Sequence, residues 1–345
     1  MSEQHKQTLQ ASVRELVAFT HHEHDLLPGA GMARLREGSL AHRLRQSAAG
    51  EGLVEYTVSA RIPAAFGTLV IAGRIDRWFF RGPVPVIEEI KLADPPPELP
   101  NEAHFAQAMC YGHMLAEEND YDTVVLRVFY ARKDGSRATS FERQRSRAQL
   151  QAAFYTLLVP FLAYMEEQAA YREARDASLR AMAFPYGAFR EGQRTLAAHC
   201  YWAVRGRRRL LAQAPTGIGK TSAVLFPALK ALGRGLTEQV YYLTARGTAR
   251  QIALDTVRIL HGQGILLRAL TLTAREKCCP YAGRGEAWRC DVLECPEAIG
   301  FFDRLAEAMP ELLRAQDWSF EAVRAAARQY RLCPFELQLS LTEEA

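Results

Sequence analysis

From Val54 to Ile62 the chain alternates, with Val54, Tyr56, Val58, Ala60 and Ile62 set against polar neighbours. A period of two predicts a half-buried strand. Thr68 to Phe80 predicts a second strand and Val84 to Leu92 a third. Asn101 can cap a helix running to about Glu118, and Asp122 to Arg132 alternates again, with Val124, Leu126, Val128 and Tyr130 on one side. Ahead of these, Met32 to Ala49 is compatible with a helix, so the predicted order is helix, three strands, helix, strand. Ala148 to about Met182 then reads as a long helix with Leu150, Phe154, Leu157, Phe161 and Tyr164 apolar and a kink expected at Pro160. Its charged second part, Glu166 to Arg180, reads as a connecting helix, and Phe184-Pro-Tyr-Gly187 ends it, which places the domain boundary there. Beyond it the pattern predicts a short strand at Leu210 to Ala212, a helix at Ser222 to Leu232, a strand at Gln239 to Ala245 and a further helix. Ser319 can cap a last helix with Phe320, Val323, Ala327 and Tyr330 on its inner face.

Polar residues inside this frame suggest chemistry. The second strand carries Gly73-Arg-Ile-Asp76 in an apolar setting, and the third ends in Glu88-Glu-Ile-Lys91. Side chains two apart on a strand share a face, so Glu89 and Lys91 converge on one spot. With Asp76 on a neighbouring strand, the two carboxylates could hold Mg²⁺ while Lys91 orients a water at a phosphodiester. In the first predicted helix Gly38, His42 and Gln46 recur every four residues on one face.

These positions resemble the RecB-like branch of the PD-(D/E)XK nuclease superfamily. That branch has a Gly-x-x-x-His-x-x-x-Gln motif in its first helix, matched by Gly38, His42 and Gln46, and a Gln-x-x-x-Tyr motif after the lysine strand, matched by Gln107 and Tyr111. The resemblance covers the first 150 or so residues and implies an αβββαβ core. It implies that His42, Asp76 and Glu89 hold Mg²⁺ or Mn²⁺, that Lys91 is the catalytic lysine, and that Gln107 and Tyr111 contact DNA near the scissile phosphate. Ile75 stands where the superfamily name has proline, and no cysteine is placed to pin an iron-sulfur cluster to this part of the chain.

A second set of motifs lies further on. Ala214-Pro-Thr-Gly-Ile-Gly-Lys-Thr221 is a Walker A loop with Ala214 at the position usually held by Gly. Backbone N–H groups and a helix N-terminus face a phosphate there, Lys220 reaches the β and γ phosphates and Thr221 ligates Mg²⁺. The segment resembles superfamily 2 helicases, which implies nucleotide contacts at Thr216, Gly217, Gly219, Lys220 and Thr221. Arg190-Glu-Gly-Gln193 resembles the stretch that reads the adenine edge in those proteins, and Thr244-Ala-Arg-Gly-Thr248 resembles their motif Ia, which contacts the backbone of single-stranded DNA.

Five of the seven cysteines fall after residue 277. In a reducing compartment such clustering points to metal rather than to disulfides. Cys279, Cys290, Cys295 and Cys333 are separated by ten, four and thirty-seven residues, without the short Cys-x-x-Cys hooks usual for zinc. The segment resembles the iron-sulfur domain of DinG and XPD helicases. A [4Fe–4S] cluster is therefore implied, with zinc as the less favoured alternative; register against that pattern favours Cys279 over Cys278. Motif II, Asp-Glu-Ala-His, does not occur in the 345 residues, so ATP hydrolysis by this chain alone is not expected.

Composition adds little that is specific. With 48% hydrophobic and 24% charged residues and a net charge of +4, the chain reads as an ordinary globular protein in which a polyanionic partner is permitted but not demanded. The start, Met-Ser-Glu-Gln-His-Lys-Gln, has no apolar leader and no uninterrupted apolar run is long enough for a bilayer, so a cytoplasmic protein without membrane association is expected.

The expected class is α/β. A nuclease domain with its connecting helix takes 1–180, the first part of a RecA-like helicase domain 181–270, and an α-helical iron-sulfur segment 271–345. The expected partners are DNA with single-stranded character and, if the remaining helicase motifs are not lost, a second chain carrying them. A non-catalytic module that binds DNA and nucleotide, or an inactive fragment of a nuclease-helicase, is the alternative.

Overall fold

The computed structural model describes residues 7–21, 25–26, 52–93, 95–132, 139–245, 247–283, 290–342 and 344. It is α/β, with a mixed sheet and ten helices among the described residues. The chain divides into two compact units, 1–168 and 169–345. The divide falls inside a helix, and the segments expected as separate RecA-like and iron-sulfur domains belong to one unit.

Unit 1 is built on a six-stranded sheet. β3 (Gly67–Arg81) is its longest strand, and β2 (Leu53–Ala64) runs antiparallel along one whole edge of it, from Leu53 opposite Trp78 to Ala64 opposite Gly67. The other edge is shared. β1 (Gln7–Ser12) pairs with it in parallel as far as Ser12 opposite Ala72, and β4 (Val84–Leu92) pairs antiparallel only from Arg77 opposite Glu88 onward. Gly73, Arg74, Ile75 and Asp76 thus have a strand on one side and, among the described residues, none on the other. β5 (Thr123–Ala131) lies parallel to β4, which requires a crossover, and α2 (Glu102–Asn119) supplies it. β6 (Thr139–Ser146) closes the far edge as an antiparallel partner of β5.

Burial follows position in the sheet. β4 is central and its residues from Pro85 to Ile90 are all buried, whereas β5 buries alternate residues, Val124, Leu126, Val128 and Tyr130, as its period predicts. The Asn101 side chain accepts from the Ala103 N–H at 2.8 Å and starts α2. Gly112 lets that helix sit close to β5, because a Cβ there would come within 3.0 Å of Leu126. α1 (Val13–Thr20) follows β1 directly and is closed by a capping box between Ser12 and Glu15. α3 (Arg147–Ala181) runs through Pro160 as one helix, with Leu150, Phe154, Leu157 and Phe161 in the core. It is long and apolar enough to cross a bilayer by length and composition, with 28% of its most apolar stretch buried in the fold. The predicted first helix, with Gly38, His42 and Gln46, lies outside the described residues.

Unit 2 is helical. α4 (Gln193–Arg205), α5 (Lys220–Leu232), α6 (Gly247–Gly262), α7 (Arg275–Cys278), α8 (Phe301–Arg314), α9 (Phe320–Gln329) and α10 (Pro334–Thr342) follow the end of α3. One pair of two-residue strands, β7 (Ala269–Leu270) and β8 (Asp317–Trp318), runs parallel. Leu179, Met182, Leu229, Leu232, Leu260, Ile265 and Leu267 form its apolar core. Ser319 caps α9 as expected, accepting from the Ala322 N–H at 3.4 Å.

Two expected strands are not formed. Leu210 to Ala212 and Gln239 to Ala245 have no ladder partner among the described residues, and Leu211 is fully exposed. A strand without a neighbour leaves its backbone groups to water and gains no cross-strand packing, so apolar composition alone does not hold it.

Candidate functional site

The gap in the pairing of β3 holds the predicted carboxylates. Arg77 opposite Glu88 is the last described pair of the β3–β4 ladder, and continuing the register sets Asp76 against Glu89. The strands part there because the Asp76 carboxylate takes the place of a backbone acceptor: its Oδ2 accepts from the Ile90 N–H at 2.7 Å. Asp76 and Glu89 are both buried.

Lys91 stands on the same face of β4 as Glu89, as the strand period requires, with its Nζ 2.6 Å from Glu89 Oε1. It also donates to Gln107 Oε1 at 3.0 Å, and Gln107 Nε2 donates to the Tyr111 hydroxyl at 2.9 Å. Lysine, glutamine and tyrosine thus form one chain from β4 along one face of α2, where residues four apart are stacked. Gly73 makes room for its end: a Cβ there would lie 2.4 Å from a Tyr111 ring carbon. Burial holds the Tyr111 hydroxyl well above the usual phenol range.

Glu89 carries the electrostatic tension of the site. Burial pushes its carboxyl well above the usual carboxylate range against the pull of Lys91, with the negative charge of Asp76 adding to the rise. Its Oε2 has no hydrogen-bond partner among the described residues. A buried carboxylate with an open oxygen beside a second carboxylate is a donor set suited to a hard divalent cation. The described residues bring together no group of three such ligands, and His42, the third expected ligand, lies outside them.

On the opposite face of the sheet the structure shows an arrangement that no motif marked. Arg77, Glu88, Arg127 and Glu142 stand directly across β3, β4, β5 and β6 in register, alternating in charge. Fully buried Glu88 lies 3.5 Å from an Arg77 Nη and 3.4 Å from an Arg127 Nη. Arg127 reaches Glu142 at 3.5 Å, and Arg81 holds that carboxylate with two bonds of 2.9 Å. This rung lies one residue from Asp76 on β3 and one from Glu89 on β4, so the same register that pairs the charges sets the two site carboxylates against each other.

Sequence reading also passed over β1 and α1, whose first turn adjoins the gap at Gly73. A readable signal was present: Ser12-x-x-Glu15 followed by Leu16 and Val17 is a capping box ahead of an apolar stripe.

In unit 2 the Walker loop leads into α5 with left-handed Gly217 and Gly219, at φ of 85° and 81°. Lys220 folds back on its own loop, donating to the Ala214 carbonyl at 3.1 Å and the Pro215 carbonyl at 2.7 Å. Buried Gln193 braces the loop: it donates to the Gly219 carbonyl at 3.1 Å and to Ser222 Oγ at 3.2 Å while accepting from the Arg190 N–H at 2.9 Å. The Arg190 guanidinium donates to the Gly217 carbonyl. Thr216 is exposed, and the Thr221 hydroxyl lies 3.3 Å from that of Tyr242.

Among the described residues the cysteines form no group of three metal ligands. Burial pushes the Cys333 thiol up to about 11. Cys278 is buried, with its Sγ donating to the Arg275 carbonyl at 3.5 Å; Cys279 is half-buried and Cys290 exposed.

No protein-family model and no curated protein matches the chain. Among solved structures the chain is similar to the crystal structure of SSO0001, at 16% identity over 44% of this chain and 77% of that one, with a TM-score of 0.30. A likeness at that level carries no functional argument.

Proposed function

We propose that the chain is a metal-dependent DNA nuclease joined to the ATP-binding portion of an iron-sulfur DNA helicase, acting in DNA processing or repair in the cytoplasm. The observation that carries the reading is the meeting of Asp76, Glu89 and Lys91 where β3 and β4 part, with Gln107 and Tyr111 alongside.

In this reading Asp76 and Glu89 hold the divalent ion, with His42 as a further ligand. The ion, when bound, supplies positive charge to a phosphodiester and lowers the pKa of a water. The Lys91 ammonium, held between Glu89 and Gln107, orients the attacking water and faces the charge that develops on the phosphate. Gln107 fixes the lysine through Oε1 and the Tyr111 hydroxyl through Nε2, so displacement of either loosens the other. Buried surroundings favour such fixed donors, because an oriented dipole counts for more there than in water.

Lys220, Gly217, Gly219, Thr216 and Thr221 take the phosphates of a nucleotide in the same proposal, with Gln193 positioning the loop from behind as well as serving the base. A phosphate entering the loop would draw Lys220 off the Ala214 and Pro215 carbonyls, since an anion is the stronger acceptor. Cys279, Cys290, Cys295 and Cys333 are the proposed cluster ligands; visible absorbance and iron content of the purified protein test that part.

The nuclease reading is tested with single-stranded DNA and Mg²⁺ or Mn²⁺. Cleavage by the parent protein that disappears in Asp76→Ala is expected. DNA binding without cleavage under any divalent metal would instead support the non-catalytic alternative.

A further inference from the structure

The β1–α1 element brings a cation to the rim of the carboxylate site. The capping box fixes where the helix begins, for the Ser12 Oγ accepts from the Glu15 N–H at 3.1 Å and the Glu15 carboxylate accepts from the Ser12 N–H at 2.6 Å. Ser12 sits opposite Ala72, so the first turn of α1 lies beside the open stretch of β3. Val13 points inward, its Cγ2 3.0 Å from where a Gly73 Cβ would be, on the same spot that receives the Tyr111 ring. Arg14 is the next residue and is exposed. Its charge reaches the carboxyl of Glu89 and the phenol of Tyr111 and pulls both downward.

Arg14 has no ion pair or hydrogen bond among the described residues. The nearest acid on its own helix, Glu15, is occupied by the Ser12 N–H and hydroxyl, at 2.6 and 2.7 Å. Exposed Arg14 stands at the edge of a site in which Asp76 Oδ2 accepts from the Ile90 N–H and Glu89 Oε1 is paired with Lys91. A guanidinium suits a phosphate, whose oxygens match its fork of donors.

We propose that Arg14 is a substrate-binding residue of this site, taking a backbone phosphate of the nucleic-acid strand beside the one presented to Asp76, Glu89 and Lys91. The proposal rests on the nuclease reading and extends it to how the strand is held. Gly73 and Val13 set the distance, and the cap at Ser12 sets the direction from which α1 offers the arginine. A phosphate contact carries no base information, so the residue contributes to affinity for any sequence.

The test uses the full chain and a fluorescein-labelled oligothymidylate. Arg14→Ala, Arg14→Lys and Asp76→Ala are compared with the parent for binding across a salt series in Ca²⁺ and for cleavage in Mn²⁺. For Arg14→Ala the expected result is KM raised about tenfold, with a smaller effect on kcat, and a slope of log K against log salt shallower by about 0.7, the value of one phosphate contact on a single strand. Arg14→Lys keeps the parent slope and part of the affinity. Asp76→Ala binds with the parent slope and does not cut. If Arg14→Ala keeps the parent KM and slope while Asp76→Ala is inactive, the arginine proposal is overturned and the nuclease reading stands. A parent that does not cut, or an Asp76→Ala variant that still does, removes the nuclease reading and the arginine proposal with it. Arg14 is exposed, so an unchanged melting temperature accompanies either result.

Discussion

Two stretches of this chain have much the same pattern and different fates. Thr123-Val-Val-Leu-Arg-Val-Phe-Tyr-Ala131 is the parallel neighbour of β4, with Val124, Leu126, Val128 and Tyr130 turned into the core. Gln239-Val-Tyr-Tyr-Leu-Thr-Ala245 is as rich in β-branched and aromatic residues, yet Tyr241 is 68% exposed, Leu243 is 88% exposed and no ladder forms. What differs is the neighbourhood. β5 lies between β4 and β6, and α2 covers one face of it, whereas the stretch in unit 2 lies beside α5 and α6 and, among the described residues, pairs with no strand. Strand composition measures fit to a pleated, half-covered surface and does not supply that surface. Unit 1 is built around a finished sheet; the glycine loop before Lys220 stands at the head of a helix that, among the described residues, has none beside it.

Removing a charge that spans the finished sheet gives the largest expected effect on stability. Glu88 lies fully buried between Arg77 and Arg127, so Glu88→Ala leaves the guanidinium of Arg77 in the interior without that carboxylate. Breaking a buried pair in this way costs about 3–5 kcal/mol. Urea unfolding of unit 1 should show that loss, and Glu88→Gln, which keeps a hydrogen-bonding group in place, a smaller one. A loss under about 1 kcal/mol for Glu88→Ala would mean that the rung does not hold the sheet.

Gly73→Ala comes next. The added methyl would meet the Tyr111 ring at 2.4 Å and Val13 at 3.0 Å, an overpacking expected to cost about 1–3 kcal/mol. Tyr111→Leu in the same chain removes the ring and should recover part of the loss. A double-mutant cycle without coupling would show that α2 does not press on β3 there.

The finished half was legible where chemistry and period coincided. Glu89 and Lys91 were readable as neighbours because side chains two apart on a strand share a face, and Gln107 and Tyr111, picked out by the family resemblance, because residues four apart lie about one turn of helix apart. Arg77, Glu88, Arg127 and Glu142 were not readable as a set, since they meet only through the register of four strands that a single strand's pattern does not contain. β1 escaped for a related reason: it is short and partly exposed, and its place is fixed by pairing with residues some sixty positions away. In unit 2 the helices Lys220–Leu232, Gly247–Gly262 and Phe320–Gln329 and the cap at Ser319 were legible, as local signals are, whereas Gln193–Arg205, Phe301–Arg314 and Pro334–Thr342 were passed over. The strands expected at Leu210 to Ala212 and Gln239 to Ala245 were misread because composition does not supply the neighbouring strand that a ladder needs.

A pH dependence should also divide the two halves. His104 is largely buried, with its Nδ1 2.9 Å from the Tyr130 hydroxyl, and burial together with the charge of Lys91 lowers its pKa from 6.5 to about 4. The folded state therefore keeps the ring neutral where the unfolded chain takes up a proton. Stability from this residue is fully present above pH 6.5 and is lost as pH falls towards 4. After discounting for the part of the ring in water, the loss is on the order of 1–2 kcal/mol. Urea midpoints at about pH 7.5 and about pH 5, on opposite sides of the unfolded pKa, should differ less in His104→Gln than in the parent. Equal differences would show that the ring is free to charge in the fold.

The smallest effect tests the comparison most directly. Leu211 is fully exposed and Leu243 is 88% exposed, so Leu211→Ser and Leu243→Ser remove apolar surface that the fold has not taken from water. Transfer energy scales with the area buried, and with almost none buried each substitution should change the stability of unit 2 by less than about 0.5 kcal/mol. The same replacement at a covered strand position such as Leu126 would add a cavity and an unsatisfied hydroxyl to the lost burial. Hydrogen exchange gives a second reading, since amides at 239–245 outside any ladder should exchange near the rate of free peptide while those of β5 are protected. Protection at 239–245, or a cost above about 1.5 kcal/mol for Leu243→Ser, would mean that this segment has a strand beside it in solution. The loop before Lys220 would then stand at the head of a sheet as the carboxylates of unit 1 stand within one, and the contrast between the two halves would be lost.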